Sequence, residues 1–410
     1  MGPFLDGPGI DHVQRDGALA RSMLDALLAW LDHSRLESYD WWDLWATRLG
    51  QRAKGAYVKN RYAGTLAVAP LMALDIACPG FRALFTRQRS FPICHAHVGL
   101  AFMNLHAVEG NDAHLQRAKE ALNALLRLAC PGTSGLGWGM KHDWMTIEGL
   151  VPKDTPCNTQ TAYAYDLVAR LADATHEAVY TEHLAAIARH VARDFAEWQE
   201  GDRLACGYTT RDHRHVLNAN SYRMRMLLDA GVRLGEAGYL DKGLRTLRWV
   251  LSMQEPDGSW PYSEDEPFVD TYHTCFVLKN LRGSAAIAAA HGVDASAALE
   301  RGLRFYHTSL FDRAGYPLPF AVKPRAVLHE YDAYDLAESI GLLAETGSET
   351  RRLNHLLRFA RDRFQTRAGW FVFRRYRFPA PDGIPYLRYA NTAMFLALSK
   401  VLLAEGSSRT

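Results

Sequence analysis

Two kinds of helix alternate along the chain when its apolar positions are followed at helical spacing. In residues 239–253, leucines from Leu240 to Leu251 recur at steps of four, three and four, while charged residues occupy the other face. Residues 390–404 are instead almost wholly apolar. The first pattern predicts a helix with one buried stripe, and the second predicts a helix that is buried on most of its faces.

The polar openings of the apolar helices recur at a nearly constant interval. Successive openings are separated by 64, 60, 52, 60 and 58 residues, which is room for two helices and their loops. They begin at Cys94, Asn158, Asn218, Asp270, Glu330 and Arg388. Each of the last five follows a loop in which an aromatic residue stands one or two positions after a glycine, as in GLGWG from Gly135, and glycine permits the tight turn.

Outer amphipathic helices that alternate with inner apolar ones predict an all-α protein, an (α/α)6 toroid of six helical hairpins. We assign residues 63–405 to a single toroid, residues 1–62 to an N-terminal helical extension packed on it, and residues 406–410 to a frayed tail. Segments 17–31 and 65–77 are expected to supply the outer helix that closes the ring. An open solenoid is the alternative, and closure is preferred because no capping repeat is evident.

The charge balance argues against a general nucleic-acid binder. The 410 residues carry a net charge of only +2, and the densest basic stretch, Arg374, Arg375 and Arg377, is interleaved with aromatic residues. A few local charges suit one anionic group better than they suit a phosphate backbone.

Cysteine usage and hydropathy predict a soluble cytoplasmic protein. The six cysteines are scattered without CxxC spacing, which is typical of reduced, mostly buried thiols. The first residues show no charged-then-apolar leader pattern. The longest apolar stretch, residues 63–78, is interrupted by Pro70 and Asp75 and is too short to span a bilayer.

In a closed ring the polar helix openings converge at one end, where free N–H groups and helix dipoles favour an anion such as a uronate carboxylate. Asp40, Trp41 and Trp42 belong to an aromatic and acidic segment whose rings can stack on sugars. An anchor that packs the N-terminal extension on the toroid explains the same segment equally well.

His95 and His97 open the first inner helix, but their spacing needs a third ligand before it can hold a metal, and no CxxC or HExxH accompanies them. We therefore predict no metal and no cofactor. The loop WGMKHDWMT is richer, because His142 is a natural acid–base group and Lys141 or Asp143 can orient it.

Two sets of candidates for chemistry open the later helices, and residue type does not choose between them. Tyr272 and His273 form a pair that can remove a proton from one face of a carbon and return it to the other. Asp270 and Asp332 are carboxylates of the kind that hydrolyse glycosides. An arginine such as Arg375 or Arg388 can hold a uronate carboxylate through two hydrogen bonds.

The full set of candidates follows from these patterns. The predicted catalytic residues are His142, Asp143, Asp270, Tyr272, His273 and Asp332. The predicted substrate-binding residues are Asp40, Trp41, Trp42, His95, His97, Trp138, Lys141, Asn158, Asn218, Asn220, Trp260, Tyr262, His329, Tyr331, Arg375, Arg388 and Tyr389.

Residues 243–260 resemble the QW repeat of squalene–hopene and related terpenoid cyclases. Gln254, Asp257 and Trp260 match its Q-x-x-D-G-x-W core, which implies the α/α-toroid fold. The DxDD acid motif of class II cyclases is absent, since the nearest run, Asp332 to Asp335, has the wrong spacing. Terpene cyclisation is therefore the least favoured activity.

A second resemblance covers most of the chain. The phrases SYDWWD, WGMKHDW…PKDTPCNTQTAYAYDL and DGSWPYS…VDTYHTCFVL are similar to the VpsJ-like proteins of bacterial exopolysaccharide gene clusters. This resemblance implies a cytoplasmic toroid that acts beside other exopolysaccharide biosynthesis proteins, on a saccharide that is free or lipid-linked. The same barrel also carries glycoside hydrolases, polysaccharide lyases and uronyl epimerase-like enzymes.

The leading hypothesis is an enzyme of exopolysaccharide or capsule biosynthesis that removes a proton from a uronic-acid unit, giving C5 epimerisation or elimination. His142, Tyr272 and His273 would exchange protons. The first alternative is a glycoside hydrolase that uses Asp143, Asp270 or Asp332. The second is a non-catalytic module that binds polysaccharide or scaffolds glycosyltransferases.

Overall fold

Fifteen α-helices account for most of the computed structural model, which describes residues 15–324 and 327–406. In chain order they are α1 (Gly17–Leu31), α2 (Asp43–Ala46), α3 (Arg48–Lys59), α4 (Arg61–Ala77), α5 (Pro92–Glu109), α6 (Asp112–Leu126), α7 (Asn158–Thr175), α8 (Ala178–Arg193), α9 (Leu217–Leu234), α10 (Ala237–Ser252), α11 (Thr271–Ala290), α12 (Ser296–Ser309), α13 (Ala333–Thr346), α14 (Thr350–Phe359) and α15 (Thr392–Gly406). A 3₁₀ turn covers Pro79–Leu84, and π-turns cover Ala360–Phe364 and Leu387–Asn391.

Six helices form a closed inner ring. Helices α5, α7, α9, α11, α13 and α15 each pack against the next, and α15 returns to pack against α5. Helices α6, α8, α10, α12 and α14 pack outside them, and α1 takes the sixth outer place against α15. The predicted all-α (α/α)6 toroid is therefore confirmed, and the open solenoid is wrong.

The ring leaves the inner helices more buried than the outer ones. In α5, fourteen of the 18 residues are buried, because neighbours cover both sides and an outer helix covers the back. The outer helices bury one stripe each, as in α10, where Gly243, Leu247 and Val250 are buried. This difference in packing explains the two hydropathy patterns of the sequence.

Four short antiparallel ribbons stand in the loops that lead into inner helices. Their strands are β1 (Trp144–Thr146), β2 (Gly149–Val151), β3 (Glu197–Glu200), β4 (Arg203–Cys206), β5 (Val269–Asp270), β6 (Phe320–Val322), β7 (His329–Asp332) and β8 (Arg374–Tyr376). The pairs are β1 with β2, β3 with β4, β5 with β6, and β7 with β8. The last two ribbons join loops of neighbouring repeats and so brace one end of the ring.

Asparagines at two helix openings hold the loops in place. The side chain of Asn220 accepts from the Cys206 N–H at 2.8 Å and donates to the Cys206 carbonyl at 3.0 Å. Asn391 makes the same pair of bonds to Phe371, at 2.7 and 3.3 Å. The repeat in the sequence is thus a repeat of loop architecture, and Asn220, predicted to bind substrate, has its amide committed to that role.

The repeated tryptophans point outward from the lumen. Trp260 donates to the Val250 carbonyl of α10 at 3.0 Å, and Trp138 donates to the Leu125 carbonyl of α6 at 2.8 Å. Both indoles are buried between the two helical rings. They lie in the core and not on a sugar-binding surface, contrary to the sequence prediction. Gly258 (φ 94°) provides the turn before Trp260, where an added Cβ would lie 2.5 Å from the Arg301 carbonyl.

Helices α3 and α4 form a hairpin outside the ring, and we call residues 47–89 the hairpin segment. Gly64 lets the two helices approach, since an added Cβ would lie 2.1 Å from the Cα of Tyr57. Residues 65–77 were expected to close the ring, but α1 already fills that place. The predicted boundary after residue 62 also falls inside α4.

The hairpin segment reaches across the end of the ring. Lys54 of α3 donates to the Met145 carbonyl at 3.3 Å, and Arg61 donates to the Pro324 carbonyl at 3.1 Å. Met145 precedes α7 and Pro324 precedes α13, which are the second and fifth inner helices and therefore stand opposite each other in a ring of six. The hairpin thus covers the mouth at which the inner helices begin.

Three further expectations concern composition and the chain ends. All six cysteines are free, and five of them are buried. None of the helices in the described ranges combines the length and apolarity needed to cross a membrane. The frayed tail was predicted for residues 406–410, of which 407–410 lie outside the described residues, while residue 406 is the last residue of α15.

Candidate functional site

The candidate site is the covered mouth of the toroid, where inner helices α11, α13 and α15 bring together Tyr, His, Asp and Arg side chains. The central pair is Asp270 and His273. Asp270 caps α11 by accepting the His273 N–H at 3.0 Å, and its other oxygen lies 2.7 Å from His273 Nδ1. A carboxylate on Nδ1 orients the imidazole and leaves Nε2 to face a substrate, the arrangement of an acid–base histidine. The His273 side chain keeps 18% exposure while Asp270 is buried.

Tyr272 lies against this pair. Its ring centroid is 4.1 Å from that of His273 and 5.2 Å from that of Tyr334. Burial raises the pKa of the Tyr272 phenol well above its usual value, and the carboxyl groups of Asp270 and Asp335 raise it further. Tyr272 is therefore a neutral phenol at all ordinary pH values, and it can donate a proton or a hydrogen bond.

Asp332 and Asp335 stand at the start of α13. Asp332 accepts from Arg374 Nε at 2.8 Å and caps the helix through the Tyr334 N–H at 2.8 Å. Asp335 accepts the Tyr272 N–H at 3.1 Å. Burial raises the pKa of Asp335 well above its usual value, with repulsion from Asp332 and Asp270 adding to it. The folded structure therefore favours the protonated form of Asp335.

The raised pKa of Asp335 makes the free energy of unfolding depend on pH. Because the folded-state pKa of Asp335 exceeds the unfolded value, the unfolded chain ionises first, and the contribution to stability is lost as pH rises from about 4 towards the raised pKa. We expect Asp335→Asn to flatten the decline of the free energy of unfolding as the pH rises above about 4. Urea denaturation at several pH values measures this, with the exposed Asp241→Asn as control. Parallel declines in Asp335→Asn and wild type would contradict it.

Asp40 and Arg388 form a buried bidentate ion pair beneath the mouth. Arg388 Nε and Nη2 donate to the two Asp40 oxygens at 2.8 Å each, and Nη1 lies 2.7 Å from Met140 Sδ. Burial acts to raise the pKa of Asp40, but the Arg388 guanidinium and the hydrogen bond from the Trp42 N–H help to hold that pKa below its usual value. Arg388, predicted to hold a substrate carboxylate, already holds this one.

Trp42 connects the Asp40–Arg388 ion pair to the hairpin segment. Its indole donates to the Tyr389 hydroxyl at 2.7 Å. It also stacks on His142, with 6.1 Å between the ring centroids and 12° between the ring planes. Lys54 of the hairpin lies 3.8 Å from the centre of the Trp42 ring. Burial lowers the pKa of His142 to about 3, so this histidine is neutral and a poor base. The acid–base role predicted for His142 does not fit this environment.

Arg374, which the prediction did not select, also lies against aromatic rings of the mouth. Its guanidinium carbon lies 4.4 Å from the centre of the Trp41 ring and 4.3 Å from that of Phe373. Arg375 instead donates to the Arg363 carbonyl at 2.5 Å and pairs with Asp382. Successive residues of a strand face opposite sides, so only one of the two can face inward. Pairing of β7 with β8, which sets Asp332 opposite Arg374, is the signal that identifies it.

Two predicted histidines of α5 lie deeper in the ring. His95 Nε2 bonds the Ser90 hydroxyl, and His97 Nδ1 lies 3.3 Å from the Thr392 hydroxyl. Burial lowers their pKa values to about 4 and about 3, so both are neutral. Across residues 15–324 and 327–406, no group of three His, Cys, Asp or Glu side chains is placed to hold a metal ion.

Several other predicted residues stabilise the loops. Lys141 donates to Asp154 at 2.6 Å and to the Leu128 carbonyl at 3.0 Å. Asp143 accepts the Lys153 N–H at 2.8 Å. The Tyr331 hydroxyl donates to Asp312 at 2.7 Å.

The remaining predicted residues differ in their distance from the Asp270–His273 pair. The Tyr262 ring lies 4.8 Å from that of His273 and belongs to the mouth. His329 stands opposite Tyr376 in the ribbon of β7 and β8. Asn158 and Asn218 are buried, and the side-chain carbonyl oxygen of each has no hydrogen-bond partner.

Comparison with known proteins places the chain by its fold. No protein-family model matches the sequence, and no curated protein matches it. Among solved structures, cellobiose 2-epimerase from Spirochaeta thermophila aligns with a TM-score of 0.59 and 12% identity, over 78% of this chain and 87% of its own. A polysaccharide lyase aligns with a TM-score of 0.56 and 9% identity, over 87% of this chain and 98% of its own. The GH76 α-mannanase BT2949 from Bacteroides thetaiotaomicron aligns with a TM-score of 0.53 and 12% identity, over 78% of this chain and 87% of its own. At these identities the likeness shows a shared (α/α)6 toroid.

Proposed function

We propose that this protein is a carbohydrate-active enzyme that removes a proton from a sugar carbon next to a carboxylate, and so epimerises or eliminates at that carbon. The observation that carries the proposal is the Asp270–His273 pair, with Tyr272 against it, at the mouth of the ring. Solved structures of the same fold include proteins described as a cellobiose 2-epimerase and a polysaccharide lyase, which supports a saccharide as the substrate.

The geometry assigns a role to each group. His273 Nε2 removes the proton, and Asp270 stabilises the imidazolium through the Nδ1–H bond. The neutral Tyr272 phenol then donates its proton. Delivered to the opposite face of the same carbon, that proton completes epimerisation. Delivered to the departing glycosidic oxygen, it completes elimination and leaves a double bond in the sugar.

A positive group near the substrate carboxylate lowers the barrier, because it stabilises the negative charge that grows as the proton leaves. Arg374 is also bonded, through Nε to Asp332, but its guanidinium lies against the Trp41 and Phe373 rings, so we assign it this role in preference to Arg375 and Arg388. Trp41 lies beside Arg374 and offers an apolar face to the sugar ring.

We place this activity in exopolysaccharide or capsule biosynthesis, acting on a uronic-acid unit that is free or lipid-linked. The support is the resemblance of the DTYHTCFVL and WGMKHDW phrases to VpsJ-like proteins, since the first phrase contains the Asp270–His273 pair.

A glycoside hydrolase is the second candidate, and one observation favours it. The pKa of Asp335 is raised well above its usual value by burial and by the neighbouring carboxyl groups of Asp332 and Asp270, and hydrolysis needs one protonated and one ionised carboxyl. It ranks below proton abstraction because Asp335 and Asp332 both bind backbone N–H groups, and Asp332 also binds Arg374. Asp143, the other carboxylate considered for hydrolysis, instead accepts the Lys153 N–H of its own loop.

Proton NMR in deuterated water separates these activities. With oligosaccharides that contain uronic acids, we expect deuterium to appear at C5, or vinylic signals to grow, because the abstracted proton is exchanged or lost. New reducing ends without either change would favour hydrolysis. Ligand binding that leaves every bond and every isotope unchanged would contradict the proposal and favour a non-catalytic binding module.

A further inference from the structure

The hairpin segment exposes an unusual amount of apolar surface. Tyr62 is 92% exposed, Leu66 is 81% exposed and Leu84 is 87% exposed. Of the fifteen large apolar side chains that are exposed in the described ranges, seven belong to this segment: Leu49, Val58, Tyr62, Leu66, Leu74, Leu84 and Phe85. Large exposed apolar patches mark surfaces that bind a partner or a membrane.

Other exposed apolar residues continue this surface around the mouth. Six stand in the loops that lead into inner helices, namely Ile147, Leu150, Trp198, Val322, Leu328 and Phe378. The two that remain, Val179 and Val232, lie at the opposite end of the ring, near the start of α8 and the end of α9. The apolar surface is therefore concentrated on one face of the toroid.

The same segment is strongly basic. Residues 47–89 contain eight Lys and Arg residues but one acidic residue, a charge of +7 in a chain of net +2. The acidic residue, Asp75, is buried in a salt bridge with Arg82. Among the described residues, no carboxylate lies within salt-bridge distance of five of the cations: Arg48, Arg52, Lys59, Arg61 and Arg87.

Exposed apolar side chains among cations that lack a carboxylate partner match the surface of an anionic bilayer, into which apolar groups insert while Lys and Arg meet lipid headgroups. A second copy of the chain fits poorly, because a two-fold interface would set one +7 segment against another. We propose that the hairpin segment docks the protein on an anionic membrane surface, with the mouth of the toroid turned towards the lipid. This inference does not depend on the reaction proposed above.

Vesicle co-sedimentation with the full chain tests this directly. We expect binding to vesicles of phosphatidylcholine with about one third phosphatidylglycerol, little binding to phosphatidylcholine alone, and loss of binding in high salt. Leu66→Asp/Leu84→Asp should weaken partitioning about tenfold or more, because it places charge at the inserted surface.

Val179→Asp/Val232→Asp is the matched control, since it adds the same charge at the far end and should bind like wild type. Thermal unfolding of both double variants confirms that they fold. Equal binding by the two double variants, or no binding of wild type to anionic vesicles, would overturn the proposal. So would a wild-type dimer that becomes monomeric in Leu66→Asp/Leu84→Asp, which would identify a second copy as the occupant.

Discussion

We expect His273→Gln to lower turnover by about a thousandfold, because it removes a positioned acid–base group. Glutamine keeps much of the volume and polarity of histidine but accepts no proton at neutral pH. The assay is deuterium exchange at C5, or growth of vinylic signal, with the oligosaccharide that the NMR panel identifies. KM should change little, because the imidazole acts on the reacting proton and does not hold the sugar.

The same helix provides the control. His291 follows the last residue of α11, is exposed, and stands at the far end of the ring, so His291→Gln should leave turnover unchanged. Asp270→Asn should retain the helix cap, since asparagine also accepts from backbone N–H groups, yet it should lower turnover by losing the carboxylate on Nδ1. Turnover of His273→Gln within tenfold of wild type would remove this histidine from the mechanism.

We expect Asp40→Ala to lower the free energy of unfolding by about 3–5 kcal/mol, because it leaves one member of a buried ion pair without its partner. Arg388 then remains buried, with both bonds to the carboxylate lost. The pair joins the N-terminal region to the start of α15, so the loss should also loosen the covered mouth. Urea denaturation measures the effect, and turnover should fall with it.

The double variant distinguishes this cause from a simple loss of contacts. Asp40→Leu/Arg388→Met removes both charges and should recover much of the stability that Asp40→Ala loses, because no buried charge is left unpaired. Glu300→Ala removes one member of the exposed Arg304–Glu300 pair and should cost far less. A double variant less stable than Asp40→Ala would refute the explanation.

The fold was predictable because it depends on periodic features. Alternating amphipathic and apolar helices specify two layers, and the 52- to 64-residue interval specifies how many hairpins there are. Segment 17–31 was assigned correctly as an outer helix because its apolar stripe is regular. Residues 65–77 misled the prediction, since an apolar helix is normally buried and α4 is not.

The site was less predictable because residue type does not reveal what a side chain is already bonded to. Asn220 and Asn218 both open α9, yet only the first holds the preceding loop. Arg374 and Arg375 are adjacent, and strand pairing decides which one faces the mouth. His142 has the right chemistry for proton transfer, but its burial under Trp42 removes its basicity.

Closure of the outer ring by α1 has a consequence for synthesis of the chain. The first outer helix packs on the last inner one, and Gln365 donates to the Met23 carbonyl at 2.9 Å across more than 300 residues. During translation α1 therefore emerges before the other helices of the toroid, and it lacks its packing partner until α15 has left the ribosome. Such distant pairing slows folding and prolongs exposure of apolar surface. The nascent chain should need protection from aggregation until the final helix arrives.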